Sequence, residues 1–390
     1  NADIAIAVMS GNFVQRGIPA ITDKYKRCRA AVDSGVNLVV ELPLFYAVSS
    51  AEIFAAGAVA TLNALNASFI SFGCENADIQ MLKKIAITLV NEPDEYKKHL
   101  KKALTCGDSF PTARAKALSG FFKSDNISRL ISSPNNILAI EYIKEIIKSE
   151  SAVTPVALTR KISGYHDIEI HENIASASAI RKILHDSGIH KNNDSRCKNI
   201  KELQNVMPKA MYNILSSESQ NNTLIYADDF SSMLNYKISN IFYIAKYNKN
   251  ACIETLCAYH DINKDLACRI YSSFTGCDSF NGFIEKIKTR GFTYSRLSRC
   301  LMHIILDIKK ENISQYKSLP YIRILGFDKK GREYLSQIKK TCPVPIITKA
   351  ADYKNLLTND IHAASLYNQI VYTKSGIINK DEFRQPLYIK

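Results

Sequence analysis

The sequence predicts an α/β fold, in which a domain built on an open parallel sheet is followed by a mainly helical, basic domain. Short apolar runs alternate with helix-like segments over the first 75 residues, which is typical of βαβ units. The 390 residues exceed what one hydrophobic core usually holds. Charge also changes along the chain. Residues 1–200 carry 24 Lys+Arg against 20 Asp+Glu, a net of +4, and residues 201–390 carry 27 against 17, a net of +10.

Three short apolar runs predict the first strands: Asp3–Ser10, Asn37–Leu42 and Ser68–Phe72. Helical patterns separate them at Pro19–Ser34, where proline suits a first turn, and at Ala51–Asn66. Short strand–helix–strand connections give right-handed crossovers, and therefore parallel strands. The first 75 residues are thus expected to form part of one parallel sheet.

Beyond residue 75 most patterns are helical. The run Val153–Thr159 is expected to return to the sheet as a further strand. The polar stretch His190–Lys201 has no regular periodicity and predicts a linker. Helices are predicted at Pro93–Thr105, Pro111–Phe122, Asn135–Lys148, Ser176–His185, Asp228–Tyr247, Ala251–Tyr259, Lys264–Phe274, Phe280–Lys288 and Ser295–Lys309.

These patterns divide the chain into two predicted domains, a Rossmann-like domain over residues 1–195 and a mainly α-helical domain over residues 202–390. Near the end of the second domain, Tyr321–Gly326, Arg332–Lys340 and Val344–Thr348 predict a small βαβ unit.

Composition narrows the class of protein. The longest apolar run, Val36–Val48, is broken by Glu41 and Pro43, so neither a membrane partner nor a membrane span is expected. The ten cysteines are scattered without C-x-x-C or ligand-spaced histidines, which favours free thiols in a cytoplasmic protein and no metal site. The basic half predicts a polyanionic partner such as nucleic acid. The alternative is that the lysine-rich and asparagine-rich amino-acid usage reflects genome composition.

Glycine and polar residues follow three predicted strands, at Ser10–Gly17, Glu41–Pro43 and Phe72–Asn76. Ligands of open parallel sheets bind outside the carboxyl ends of the strands, where glycine lets backbone amides approach them. The alternative is that these glycines only serve turns. No P-loop or G-x-G-x-x-G motif occurs in the sequence.

Three further places carry residues suited to phosphate. Asn135 lies at a predicted helix start, where it or the next residue, Asn136, could also be no more than a cap. Arg160 and Lys161 directly follow a strand, and their alternative is a solvated strand exit. Ser178 and Arg181 lie in the first turns of a predicted helix, which suits either a phosphate or an ordinary capped helix.

Cations and aromatics are interleaved between residues 286 and 299. Lys288, Arg290, Arg296 and Arg299 form the core of this basic stretch. Arg296 and Arg299 are three apart on a predicted helix and are expected to share an exposed face. Such a face suits a phosphate backbone and an unpaired base. The alternative is a solvated basic face above core aromatics.

The ordered set of these segments resembles the tRNA(Met) cytidine acetate ligase family. The resemblance spans nearly the whole chain and is specific as a set, although each piece alone is weak. Its segments are MSGNFVQRG, ELPLFYAVSSAEIFAAGAV, FGCEN, PNNILAIEY, RKISGYHD, IASASAIRK and KTRGFTYSRLSRCLMHIIL.

The resemblance implies a HIGH-type nucleotidyltransferase with ATP, accompanied by Mg²⁺, and acetate as substrates and no tightly bound cofactor. It implies acetylation of the wobble cytidine of elongator tRNA(Met) to N4-acetylcytidine, through acetyl-adenylate. Gly73, Asn135, Arg160 and Lys161 resemble the family's ATP-binding residues. Ser178 and Arg181 occupy a degenerate form of the superfamily's second phosphate signature.

One part of the family pattern is missing. No H-x-G-H motif occurs in the sequence, and its place is expected just before Asn1. The catalytic residues are therefore left unassigned, and a chain without that motif is expected to be inactive or nearly so. Two other functions stay open from the residues, a small-molecule adenylyltransferase and a non-catalytic RNA-binding remnant.

Overall fold

The computed structural model describes residues 2–124, 126–160, 175–189, 200–276, 278–289, 291–315 and 318–390. The chain divides into two compact units. Unit 1 combines Asn1–Ser50 with Asp186–Lys390, and unit 2 is Ala51–His185. This division differs from the boundary predicted near residues 195–202, because the first strands pair with a strand from the end of the chain. The assignment of ATP binding and tRNA binding to two sequential domains stays a prediction.

Unit 1 contains seven strands among its described residues. They are β1 (Ile6–Ser10), β2 (Phe13–Val14), β3 (Ile18–Pro19), β4 (Leu38–Leu42), β7 (Ile322–Phe327), β8 (Ile346–Ile347) and β9 (Tyr388–Ile389). β1 and β4 are parallel, as predicted, with Ile6 opposite Leu38. The expectation that Ser68–Phe72 and Val153–Thr159 belong to the same sheet is wrong, because the strands formed there pair with each other in a sheet of their own. β4 then pairs antiparallel with β7, which in turn pairs parallel with β8 and with β9. The predicted C-terminal βαβ unit is present and extends the sheet of the N-terminal strands.

The described part of unit 1 contains eleven α-helices, which outnumber its strands. They are α1 (Lys24–Asp33), α2 (Leu44–Ala47), α10 (Lys209–Gln220), α11 (Ser231–Ile244), α12 (Lys249–Cys257), α13 (Lys264–Ser273), α14 (Phe280–Ile287), α15 (Tyr294–Ile305), α16 (Lys310–Gln315), α17 (Lys329–Ile338) and α18 (Thr358–Ser375). Cys28, Val32, Val39 and Leu325 form one buried cluster where α1 packs on β4 and β7.

The start of α1 differs from the prediction. Pro19 lies in β3, in an antiparallel ladder with β2, and does not open a helix. The helix begins at Lys24 instead, because the Asp23 carboxylate accepts hydrogen bonds from the backbone N–H groups of Tyr25 and Lys26, each at 2.9 Å. A carboxylate at the N-cap provides an acceptor for backbone N–H groups that have no partner within the helix.

Unit 2 is a parallel strand pair with helices. Its elements are α3 (Ala51–Ala64), β5 (Phe69–Cys74), α4 (Ile79–Asn91), α5 (Asp94–Thr105), α6 (Phe110–Phe122), α7 (Asn126–Ser132), α8 (Pro134–Lys148), β6 (Thr154–Thr159) and the start of α9 (Ala177–Ile189). β5 and β6 run parallel in continuous register from Phe69 opposite Thr154 to Cys74 opposite Thr159. Their carboxyl ends therefore meet at one edge.

The structure bears on two expectations drawn from composition, the state of the cysteines and the presence of a membrane-spanning helix. The cysteines described, eight of the ten, are free thiols, while Cys197 and Cys277 lie outside the described ranges. None of the helices in these ranges combines the length and apolar character that crossing a membrane requires.

Candidate functional site

The carboxyl edge of β5 and β6 carries three of the residues predicted to bind nucleotide. The N–H of Arg160 donates to the carbonyl of Cys74 at 2.9 Å, so the strand pairing continues past β6. A Cβ added at Gly73 would lie 3.3 Å from Cγ of Arg160. The absence of a side chain at Gly73 thus lets the aliphatic part of Arg160 lie against the backbone of β5. Arg160 itself is an exposed residue at this edge.

Asn135 reaches the same edge from the first turn of α8. Its side-chain Nδ2 donates to Oε1 of Glu75 at 2.7 Å, and Glu75 follows β5 directly. Because a carboxylate only accepts hydrogen bonds, the amide nitrogen must face Glu75, which leaves Oδ1 of Asn135 as an acceptor. Gly73, Asn135 and Arg160 therefore lie together, as predicted.

Asn136 fixes this arrangement from inside the protein. Its side chain is buried, and its Oδ1 accepts the N–H groups of Glu75 at 3.0 Å and Asn76 at 3.2 Å. Its Nδ2 donates to the carbonyl of Leu130 at 2.9 Å. One side chain thus joins the loop after β5 to α7 and α8. Sequence reasoning treated Asn136 only as a possible cap, although the adjacent pair Asn135–Asn136 was a visible signal.

Glu75 occupies the N-terminus of α8. Its Oε2 accepts the N–H of Asn136 at 3.1 Å. A helix N-terminus carries partial positive charge and favours an anion, and here the protein's own carboxylate fills that place. A phosphate is consequently better accommodated by Arg160, on the strand side of the edge, than by the start of α8. Sequence reasoning gave Glu75 no role of its own.

The other predicted phosphate residues are described only in part. Ser178 and Arg181 lie in the first turns of α9, where Oγ of Ser176 accepts the N–H of Ala179 at 3.0 Å and caps the helix. Their role in binding ATP stays a prediction. Lys161 lies outside the described residues.

The strand-end residue Glu41 is held inside unit 1. It is buried, and its carboxylate contacts Lys24 at 2.8 Å and Arg323 at 3.3 Å. Lys24 also contacts Glu382 at 2.9 Å, and Arg323 forms an ion pair with the same carboxylate. Burial alone would raise the pKa of Glu382, but Lys24 and Arg323 lower it to about 2. These four charges compensate one another and tie the C-terminal segment to the sheet.

The first strand-end loop, Ser10–Gly17, packs against α15. Gly17 has φ of +72°, and a Cβ there would lie 2.2 Å from the backbone nitrogen of Arg299. Oγ of Ser298 donates to the carbonyl of Gly17 at 2.8 Å. Two of the segments that carried the family resemblance therefore contact each other directly, and this contact requires glycine.

The predicted cationic face on α15 is only partly exposed. Arg299 is 8% exposed and lies 3.5 Å from Asp261, so the expectation that it occupies an open face is wrong. Arg296 contacts the same carboxylate at 3.2 Å and stacks over the ring of Phe292 at 5.2 Å. Lys288 is half-exposed beside Glu285, and Arg290 lies outside the described residues. Contact of these four residues with tRNA stays a prediction.

These features define a nucleotide-binding α/β protein with polar groups at the carboxyl ends of parallel strands. The model of the HIGH Nucleotidyl Transferase family matches residues 1–382. Curated relatives named tRNA(Met) cytidine acetate ligase include those of Clostridium novyi (38% identical, spanning 100% of this chain and 93% of the relative) and Thermoanaerobacter sp. (38%, 99% and 92%). The chain belongs to the tRNA(Met) cytidine acetate ligase family.

Solved structures agree with this assignment. The apo crystal structure of Thermotoga maritima TmcAL matches with a TM-score of 0.87 at 29% identity, covering 99% of this chain and 92% of that one. A second structure of that protein, bound with alpha-thio ATP, matches with a TM-score of 0.85 at 28% identity and the same coverage. The α/β nucleotidyltransferase fold predicted from the sequence is thereby confirmed.

Proposed function

We propose that this protein is an ATP-dependent ligase that acetylates a cytidine of tRNA(Met), with acetate as the acyl donor. The observation that carries the proposal is the convergence of Gly73, Asn135 and Arg160 at one edge of the β5–β6 pair, in a chain of this family. The wobble cytidine of elongator tRNA(Met) is the proposed acceptor, with N4-acetylcytidine as the product.

The reaction proceeds in two steps. An acetate oxygen attacks the α-phosphorus of ATP, the bond to the β-phosphate oxygen breaks, and pyrophosphate leaves. The N4 amine of cytidine then attacks the carbonyl carbon of acetyl-adenylate, the bond to the phosphate oxygen breaks, and AMP leaves with the electron pair. The amine loses one proton to solvent or to a base. Placement and charge neutralisation supply most of the catalysis in phosphoryl transfer.

The residues of this edge suit different parts of ATP. Arg160 carries a permanent positive charge and can form charge-assisted hydrogen bonds with phosphate oxygens. Gly73 leaves the backbone accessible beside it. Asn135 borders a carboxylate, which repels phosphate, so its free acceptor suits a hydroxyl or an amino group of the nucleoside. Mg²⁺ would be carried by the ATP phosphates, which it commonly uses as ligands.

The basic C-terminal half of the sequence is the proposed tRNA-binding part. Residues 201–390 carry the net charge of +10 found above. Of the predicted contacts, Lys288 and Arg296 keep the more exposed side chains, at 47% and 32%. Positive charge of this kind supplies the sequence-independent part of RNA affinity.

The test uses the protein expressed from its gene, with ATP, labelled acetate and unmodified tRNA(Met). We expect pyrophosphate release that depends on acetate, and N4-acetylcytidine in the tRNA by mass spectrometry of nucleosides. Pyrophosphate release that requires a small phosphorylated compound and not acetate would favour an adenylyltransferase. Binding of tRNA without any consumption of ATP would favour an RNA-binding role.

A further inference from the structure

An exposed aromatic face lies on α11 and the turn that follows it. Tyr236, Tyr243, Ile244 and Tyr247 are 66–70% exposed. Large apolar side chains rarely cluster at such exposure on a soluble protein without a partner. We call the surface formed by Tyr236, Tyr243 and Tyr247 the tyrosine face.

Helical geometry aligns these rings. Tyr236 and Tyr243 are seven residues apart, which places them on one side of the helix, separated by two turns and about 10 Å along the axis. Tyr247 follows the helix end, four residues after Tyr243. The opposite side of α11 is buried, and its Leu234, Ile238 and Phe242 pack into the unit. The helix cannot turn the tyrosines inward without exposing this core side.

The turn after α11 is held in an unusual conformation. Lys246 and Tyr247 both adopt left-handed backbone conformations, with φ of +50° and +56°. Such values are unfavourable for residues other than glycine and persist when surrounding contacts determine them. The N–H of Lys246 donates to Tyr243 O at 2.9 Å, and that of Tyr247 to Phe242 O at 2.8 Å. The backbone that carries the third ring of the face is therefore held in a defined conformation.

The segment that carries the face contains charges of one sign. Between Phe230 and Ile253 the chain contains no aspartate or glutamate, while it contains three lysines. Lys246 and Lys249 are exposed beside Tyr247, and Lys237 follows Tyr236. Exposed tyrosine rings whose charged neighbours in the sequence are all lysines suit a polyanion whose bases are free to stack. A protein partner of mixed charge would find no acidic group in this segment.

We propose that the tyrosine face binds unpaired nucleotides of the tRNA substrate, with the rings stacking on bases and the lysines contacting phosphates. The proposal rests on the proposed function for the identity of the RNA. It adds a binding surface separate from α15, whose arginines share the carboxylate of Asp261. Stacking on tyrosine tolerates any base, so this face supplies affinity and orientation, and base identity is read elsewhere.

The first test compares tRNA(Met) affinity of the wild-type protein with that of three triple variants. Tyr236→Ser, Tyr243→Ser and Tyr247→Ser together should weaken binding at least tenfold, since each stacked base contributes substantially. The matched Phe triple variant should stay within about twofold, because the ring is kept. The Leu triple variant should be as weak as the Ser variant, because apolar area without an aromatic ring does not stack. Equal thermal unfolding of all variants checks folding.

The second test concerns charge. Lys246→Gln with Lys249→Gln should lower the salt dependence of tRNA binding by roughly one unit per lysine. Lys97→Gln with Lys98→Gln removes the same charge from exposed positions in α5, outside the basic C-terminal half, and should leave the salt dependence of the wild type. Unchanged affinity in the Ser variant, or an equal effect of both lysine pairs, overturns the proposal.

Two outcomes separate the tyrosine face from the proposed function. If the wild-type protein acetylates tRNA and the Ser variant binds tRNA with normal affinity, the tyrosine face is refuted and the ligase function is supported. Suppose instead that the wild-type protein never acetylates tRNA, and that the Ser variant loses binding to a short uridine oligomer but not to a blunt RNA duplex. The tyrosine face is then supported and the proposed ligase function is refuted. A change of the Ser variant from dimer to monomer in sedimentation, with tRNA affinity unchanged, makes the face an interface between copies.

Discussion

The side-chain amide of Asn135 donates a 2.7 Å hydrogen bond to the carboxylate of Glu75, and this contact fixes which end of the amide a ligand meets. Glu75 is held in turn by the N–H of Asn136 at the start of α8. The carboxylate therefore serves as a positioning group for Asn135. Its negative charge also disfavours phosphate at this side of the edge, and we therefore propose a nucleoside side at Asn135 and a phosphate side at Arg160.

Removing the charge of Glu75 should weaken nucleoside recognition. In Glu75→Gln one of the two accepting oxygens becomes an amide that faces a donor, and loss of charge-assisted hydrogen bonds costs roughly 1.5–3 kcal/mol. We expect ATP affinity to fall about tenfold or more while affinity for pyrophosphate is unchanged or slightly stronger. Isothermal titration with both ligands measures this. Glu95→Gln, at an exposed position in α5, is the control, and a parallel loss of pyrophosphate binding would contradict the positioning role.

Substitution of Arg160 should not discriminate between ATP and pyrophosphate. Arg160→Ala removes a guanidinium from the phosphate side of the edge, and hydrogen bonds to charged groups contribute roughly 1.5–3 kcal/mol. Affinity should therefore fall for ATP and for pyrophosphate by a similar factor, measured in the same titrations. Arg129→Ala removes an equal charge from an exposed position in α7. If pyrophosphate binds Arg160→Ala as well as wild type, the phosphates lie elsewhere.

Local patterns predicted the longer strands, most of the long helices and the shared edge of Gly73, Asn135 and Arg160, but not the two-residue strands β2, β3 and β9. The reason is that period, caps and strand ends are properties of neighbouring residues. The pairing of β4 with β7 joins residues almost 300 apart, and no local pattern encodes it. The ion pairs of Glu41 and Arg299 were not predicted for the same reason, because their partners Arg323 and Asp261 are remote in sequence. The local pattern does not distinguish the tyrosines of α11 from ordinary helix residues. Their exposure depends on which side of the helix packs into the unit, and that is set by tertiary structure.

The close contact of Gly17 with α15 predicts a large loss of stability on substitution. In Gly17→Ala the new Cβ would lie 2.2 Å from the backbone of Arg299, and the left-handed φ adds conformational strain. We expect the free energy of unfolding to fall by more than about 3 kcal/mol, because backbone atoms cannot move aside as a side chain can. Urea unfolding measures the change.

Gly35→Ala is the matched control for Gly17. Gly35 also has a left-handed φ, of +106°, but no atom of the described residues lies within 4 Å of its added Cβ. Only the conformational cost of roughly 1–2 kcal/mol should remain. Equal losses at the two glycines would mean that the contact with α15 contributes nothing beyond backbone strain.

The buried carboxyl of Asp360 predicts a particular dependence of stability on pH. It accepts the N–H of Leu44 at 3.2 Å and the hydroxyl of Tyr321 at 2.5 Å. Burial, and next the negative charge of Glu41, raise its pKa from 3.8 to about 6. The folded state therefore holds this proton more tightly than the unfolded chain. The resulting stability is complete below about pH 4, declines as the unfolded chain ionises first, and is lost above about pH 6.

Asp360→Asn should remove this decline, because the amide does not titrate. Urea unfolding of both proteins between about pH 4 and pH 7 should show wild type losing stability relative to the variant as pH rises. The effect of Glu382, whose low pKa acts in the opposite direction below pH 4.5, is common to both proteins and cancels in the difference. Asp352→Asn, at a side chain that is 60% exposed, should keep the wild-type profile. A wild-type and Asp360→Asn pair with parallel profiles would mean that Asp360 ionises at its ordinary pKa, and that the charges of Lys24 and Arg323 fully compensate for its burial.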